Sequence, residues 1–276
     1  MQQVLKTMLE NVRAKTPLVH NITNYVTVND VANVLLAAGG SPIMSDDADD
    51  VEDITSICGG LNINIGTLNK NTIPSMFLAG KKANELGHIV LLDPVGAGAS
   101  RLRTDTANRL MQEVRFDAVR GNISEIKTLC TGSGTTKGVD ADAVDAVTEA
   151  NLDDGVQLVK AFAQKTGCII AVTGAIDLVS DGERCWCIRN GRAEMSRITG
   201  TGCQLSALMT AFLVANPDRK LDAAAAAVCM MGLAGEIGWA NMQPGDGNST
   251  YRNRIIDAIF NMTGDALEKG AKYELR

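Results

Sequence analysis

The sequence predicts an α/β protein with a mostly parallel central sheet, helices on both of its faces and an antiparallel edge. Three observations predict it. Short apolar runs bounded by turn residues alternate with longer helical stretches along most of the chain. Two tight-turn pairs, Asp181-Gly182 and Asn190-Gly191, then mark an antiparallel meander. No fixed-period repeat or low-complexity linker divides the 276 residues, so residues 1–276 read as one domain.

The elements follow in order. The opening segment MQQVLKTMLENVRAKTP is amphipathic and lacks an uninterrupted apolar stretch, so it does not read as a signal peptide. PLVHNIT (17–23) reads as a strand, and VNDVANVLLAAGG (28–40) as a helix ended by Gly39 and Gly40, which accept the left-handed C-cap geometry. SPIM (41–44) is a short strand, and DADDVEDITSIC (47–58) a helix with an acidic first turn. LNINIG (61–66) alternates as a strand does, and IPSMFLAGKKANELG (73–87) is a helix stopped by Gly87. HIVLLDPVGAG (88–98) is a buried strand running into a Gly-rich loop. RTDTANRLMQEV (103–114) reads as a helix, FDAVRGN (116–122) as a strand and ISEIKTLC (123–130) as a helix. Thr131–Asp154 is polar and reads as a loop with one short acidic helix.

DGVQLVKAFAQKTG (154–167) is helical, and CIIAVTGA (168–175) is the most strand-like segment in the chain. The meander occupies 177–195. Three helices close the chain: CQLSALMTAFLVAN, DAAAAAVCMMGLAGEIGWANM and STYRNRIIDAIFNMTGDALEKG.

Charge and composition exclude several functions. A net charge of −6 lacks the basic face that sequence-independent nucleic-acid binding needs, and Trp186 and Trp239 are too few for a base-stacking platform. The seven cysteines are odd in number, no CxxC occurs, and His20 and His88 stand alone. That argues against a disulfide framework or a structural zinc site and places the chain in a reducing cytosol. No run approaches 18 uncharged apolar residues, so no membrane span is expected. His20 and His88 read as structural, Met230 and Met231 as core filling.

Ligands of such sheets sit beyond the carboxyl ends of the strands. Four of those ends carry polar or Gly-rich tails: DPVGAG, RGNISE, VTGAID, and TGTGC opening the helix after the meander. TGTGC suits an anion, since its glycines let consecutive N–H groups at a helix start approach an oxyanion; it is equally compatible with an ordinary Gly-rich helix start. Asp93 in DPVGAG can bind Mg²⁺ or simply form an Asp-Pro turn. Asn122 and Glu125 have ligand-binding side chains, and they also have capping-box spacing. Thr173 can contact a ligand or begin a turn.

Together these segments, from PLVHNITNYVTVNDVANVLLAAGGSPIM through LNINIGTL, VLLDPVGAGAS, VRGNISEI and VTGAIDLVSDG to ITGTGCQLSALMTAF, resemble the hydroxyethylthiazole kinase family across nearly the whole chain. The resemblance implies a three-layer ribokinase-like fold and transfer of the ATP γ-phosphoryl group to 4-methyl-5-(2-hydroxyethyl)thiazole in thiamine salvage. It implies substrate-side roles for Met44, Asn24, Val26 and Gly200. ATP-side roles fall to Arg120, Thr173, Thr199 and Asn122, and Asp93 and Glu125 lie near Mg²⁺. Cys203 matches the position of the catalytic group, and a helix N-terminus is expected to lower its thiol pKa; a small side chain that shapes the pocket is the alternative. Members are similar in forming cytoplasmic homotrimers with the thiazole site where two subunits meet. Asn21, where members vary, and Tyr25 are departures that do not obviously block the site.

Related folds phosphorylate the pyrimidine half of thiamine or dehydrate a hydrated nicotinamide, but SPIM and NITN favour the thiazole. A nucleotide-binding regulator without turnover is disfavoured by Asp93, Glu125 and Cys203.

Overall fold

The structure, a computed structural model, describes residues 3–132 and 146–276. Among them runs a nine-stranded sheet in the order β2-β1-β3-β4-β5-β6-β7-β8-β9. Its parallel part comprises β1 (Leu18–Ile22), β2 (Ser41–Met44), β3 (Gly60–Asn64), β4 (Ile89–Asp93), β5 (Ala118–Asn122) and β6 (Ile169–Thr173). The antiparallel edge comprises β7 (Asp177–Ser180), β8 (Cys185–Ile188) and β9 (Tyr273–Leu275).

The period-2 alternation of each strand divides its side chains between two cores. Ile22, Leu61, Ile63, Val90, Leu92 and Val119 face α4 (Thr72–Leu86), α5 (Arg101–Glu113), α6 (Ile123–Thr131) and α7 (Leu152–Thr166). Leu91, Ala118 and Ala171 face the other way, towards α1 (Val4–Lys15), α8 (Thr201–Ala215), α9 (Lys220–Ala240) and α10 (Asn248–Asn261). Residues α2 (Val28–Ala38) contributes pack with Val19 and Cys203 on that same side. The result is the expected helix–sheet–helix sandwich.

Helix α8 is seated directly on β3. A Cβ at Gly60 would stand 2.5 Å from Val214, so only glycine admits the helix there. The glycine stops also hold, with Gly39 and Gly87 both left-handed at φ +97° and +70°.

Several expectations are corrected. Helix α3 (Val51–Ile57) starts four residues later than expected, after a turn at 48–50. The meander contributes two strands; its last residues, Ala193–Arg197, form a 3₁₀ turn, and the next strand beside β8 is β9 from the far end of the chain. The last helical segment is two helices, α10 and α11 (Gly264–Gly270), because Thr263 caps a new start by accepting from the Ala266 N–H at 3.1 Å. The stretch Pro217–Ala240 does reach the length and apolar composition of a membrane span. Most of it is buried inside the protein, with Ala223–Ala227 fully enclosed, so it is a core helix between α8 and α10. Of the polar loop expected at 131–154, residues 133–145 and any short helix there lie outside the described residues.

Candidate active site

The carboxyl ends of β3, β4 and β5 place Asn64, Asp93 and Arg120 on the face covered by α8, whose first turn lies over them. Asp93 is the last residue of β4 and is fully buried. It accepts from Asn64 Nδ2 and from Ser206 Oγ, each at 2.8 Å, and lies 3.5 Å from Arg120 Nη1. Burial pushes its carboxyl above the usual range, while the Arg120 charge and these hydrogen bonds work against the shift. Since every partner is a donor, the ionised form is the one this geometry satisfies.

Arg120 reaches from β5 to the end of β6, where its Nη2 donates to Thr173 Oγ1 at 2.7 Å. A Cβ at Gly202 would be 2.5 Å from that same nitrogen, so Gly202 lets the first turn of α8 rest on the guanidinium. The Arg120 Nε is buried without a partner. A cation held against the positive end of a helix, with an N–H unsatisfied, is a receptor for an anion.

Asn122 and Glu125 form the capping box of α6, with Glu125 N–H donating to Asn122 Oδ1 at 2.9 Å and Asn122 N–H to Glu125 Oε2 at 2.8 Å. Glu125 Oε1 also accepts from Gly96 N–H at 2.8 Å, tying the DPVGAG loop to α6. Burial, then the nearby charge of Asp93, pushes the Glu125 carboxyl up to about 7. Two buried carboxylates, one of which raises the pKa of the other while the Arg120 charge acts against the shift in both, suit a divalent cation. Among the described residues no cluster of three or more His, Cys, Asp or Glu could hold a metal alone, so phosphate and water oxygens must complete any such shell.

Cys203 lies in the first turn of α8, 8% exposed, and its sulfur accepts from Asn24 Nδ2 at 3.2 Å. The expected lowering of its thiol pKa is corrected. Burial, then Asp93, pushes the thiol up to about 11; the Arg120 charge and the amides of Asn64 and Asn24 only partly offset this. A partial helix charge is too weak against desolvation and a full negative charge nearby.

Gly200 is the N-cap of α8 with φ +83°, and a Cβ there would overlap Thr27. Met44 packs with Val95 against the small cluster that contains Cys203, Val19 and Val31. Thr199 is exposed beside this helix start. Val26 is 57% exposed next to exposed Tyr25, so within one subunit it stands outside the polar cluster.

Asn24 points inward, but every hydrogen-bonding position of its carboxamide is engaged by Thr27, Asn64 and Cys203. Asn64, Ser206 and Thr27 were not foreseen. The signal for Asn64 was present in LNINIG, where asparagines alternate with apolar residues on a strand that is buried throughout.

The large surface groove lined by Phe116, Cys130, Phe162 and Cys168 opens at the amino ends of β5 and β6, away from all these groups.

Comparison with known proteins identifies the family. The Hydroxyethylthiazole kinase family matches residues 9–265. A hydroxyethylthiazole kinase of Clostridium acetobutylicum is 58% identical over 271 residues, covering 98% of this chain and 99% of its own. The solved structure of the Pyrococcus horikoshii OT3 hydroxyethylthiazole kinase is 32% identical, covers both chains completely and superposes with a TM-score of 0.88. The Staphylococcus aureus pyridoxal kinase solved with ADP shares the fold alone, at 14% identity, TM-score 0.56, and coverage of 77% of this chain and 85% of its own. The match spans nearly every residue that builds the site, and on that ground the chain belongs to the hydroxyethylthiazole kinase family.

Proposed function

We propose that this chain transfers the γ-phosphoryl group of ATP to the hydroxyl of 4-methyl-5-(2-hydroxyethyl)thiazole, in thiamine salvage. The observation that carries the reading is the buried Arg120 guanidinium, with its unpartnered Nε, held against the glycine-bearing first turn of α8. That is where an anionic, migrating phosphoryl group is stabilised.

The roles follow from position. N–H groups of the first turn, residues 201–203, hold the phosphoryl oxygens, as orphan donors at a helix start do. Arg120, steadied by Thr173 and Asp93, adds positive charge, with Thr199 and the Asn122 end of α6 flanking the nucleotide. Asp93 and Glu125 are the residues that would hold Mg²⁺, whose contribution is to neutralise phosphate charge. Met44, Gly200 and the chain around Asn24 and Val26 form the thiazole side.

The substrate hydroxyl oxygen forms the new O–P bond as the bond to the β-phosphate oxygen breaks. In a loose transition state the hydroxyl proton leaves late, passing to an oxygen of the phosphoryl group just transferred and from there to water. Cys203 is a thiol in the free protein, so its sulfur orients that hydroxyl as an acceptor and its demand as a base is small.

The chain is read as one domain that works as a cytoplasmic homotrimer. Its cysteines are free thiols, as a reducing compartment keeps them. Exposed Tyr25 and Val26 beside the thiazole side support a neighbouring subunit completing that site. The test is ATP turnover with a panel of alcohols, run beside light scattering. Stimulation by the thiazole alcohol and a trimeric mass are expected. ADP formation that the thiazole alcohol does not stimulate would overturn the assignment.

A further inference from the structure

Two carboxamides join the Cys203 thiol to the buried Asp93 carboxylate, and their orientation has a single solution. Asn24 Oδ1 accepts from both the N–H and the hydroxyl of Thr27, at 3.1 and 3.0 Å. Its NH₂ must therefore face the other way, where it donates to Asn64 Oδ1 at 3.1 Å and to Cys203 Sγ at 3.2 Å. Asn64 Oδ1 also accepts from Gly66 N–H at 2.9 Å, so the Asn64 NH₂ faces Asp93 Oδ2 at 2.8 Å. Flipping either amide would set an NH₂ group against N–H donors at one end and an oxygen against the Asn64 oxygen or the Asp93 carboxylate at the other. All four side chains are buried, so no water relaxes the choice.

We propose that Asn64 is a positioning residue that makes the Cys203 sulfur an acceptor, by fixing the Asn24 NH₂ on it and anchoring that arrangement to Asp93. The inference deepens the kinase reading for the same site. Without Asn64, the Asn24 NH₂ loses one of its two acceptors, and only the Thr27 N–H and hydroxyl still resist a turn of the carboxamide. A turned Asn24 offers its oxygen to the thiol, and S–H becomes the donor. A sulfur in that state no longer has a fixed lone pair for the substrate hydroxyl. The neighbouring pair Asn21–Asn62, joined at 3.0 Å on the same side of the sheet, touches neither Cys203 nor Asp93 and serves as the internal control.

The test uses the full chain with Asn64→Ala and Asn64→Leu, each made in the parent and in a Cys203→Ala background. Thr27→Val, which removes one of the donors that orient Asn24, tests the same relay without touching Asp93. Asn62→Leu is the control. In the parent background, kcat is expected to fall about tenfold or more with KM for the thiazole alcohol within about threefold. In the Cys203→Ala background the same change costs clearly less than in the parent and leaves only the loss owed to the missing donor to Asp93, since effects that run through one group do not add.

An activity-independent readout accompanies this: the iodoacetamide alkylation rate of Cys203 at one fixed pH, resolved by peptide mass spectrometry. It is expected to slow about threefold or more in the Asn64 variants and in Thr27→Val, and to hold in Asn62→Leu. Equal losses of kcat in both backgrounds, or an unchanged alkylation rate in Thr27→Val, would overturn the proposal. Slowed alkylation in a protein that thiazole alcohol does not stimulate would instead sink the kinase reading and leave the relay standing.

Discussion

The Ser206 hydroxyl of α8 donates to Asp93 Oδ2 at 2.8 Å, so the helix whose first turn rests on Arg120 is fastened to the strand that carries the carboxylate. The two residues are 113 positions apart in sequence. Ser206→Ala leaves a fully buried carboxylate short of one donor. Urea denaturation is expected to show a loss of about 1–3 kcal/mol, with kcat reduced as well. An unchanged midpoint would show that another donor replaces Ser206.

Cys203→Ala is expected to lower kcat by about 10- to 10³-fold, towards the low side of acid–base contributions. Cys203→Asp should stay active, since a carboxylate there accepts from the same Asn24 amide that the sulfur uses. A folded but inactive aspartate variant, measured by steady-state phosphorylation, would count heavily against an acceptor role.

Gly202→Ala probes the contact between α8 and Arg120. Gly202 is helical, so alanine brings no backbone strain, but its Cβ would lie 2.5 Å from Arg120 Nη2. The guanidinium tip must move and give up Thr173. KM for ATP should rise about tenfold while the melting temperature stays within a few degrees of the parent. A large loss of stability with unchanged KM would show that the helix moved and the arginine stayed.

Glu125 sets a pH dependence of stability. Its folded pKa, about 7, lies above the ordinary 4.5, so between those values the native state holds the extra proton. Stability gained from that proton is present at low pH and is lost as pH rises through 7. Urea midpoints should fall between pH 5 and pH 8 by an amount on the order of 1–3 kcal/mol, and Glu125→Gln should flatten the slope. Mg²⁺ with ATP should flatten it too, by favouring the ionised carboxylate. A Glu125→Gln protein with the parental slope would assign the effect to another group.

Much of this fold was legible because its strands are apolar runs punctuated by turn residues. The strand LNINIG and the helix stops at Gly39 and Gly87 sit where their residues put them. Strand β9 was not legible: three residues with no periodicity become a strand only by pairing with β8, some 85 residues away.

The site divides in the same way. Asn122 and Glu125 were readable both as a cap and as site residues, and the capping box is seen with Glu125 also gripping the DPVGAG loop. For Cys203 the helix start was visible in sequence, whereas burial and Asp93 were not, and these decide its protonation. Asn64 reads in one dimension as the polar side of a half-exposed strand. Only the helix laid over β3 turns that side inward.

Helix α9 carries a consequence for synthesis. When residues 217–240 leave the ribosome, they form a stretch as long and apolar as a membrane anchor. Helices α1 and α8 precede it and can cover part of its surface, but the flank that α10 packs against stays bare until residues 248–261 follow. For that interval the nascent chain exposes to water, chaperones and membranes a surface that the finished protein never shows.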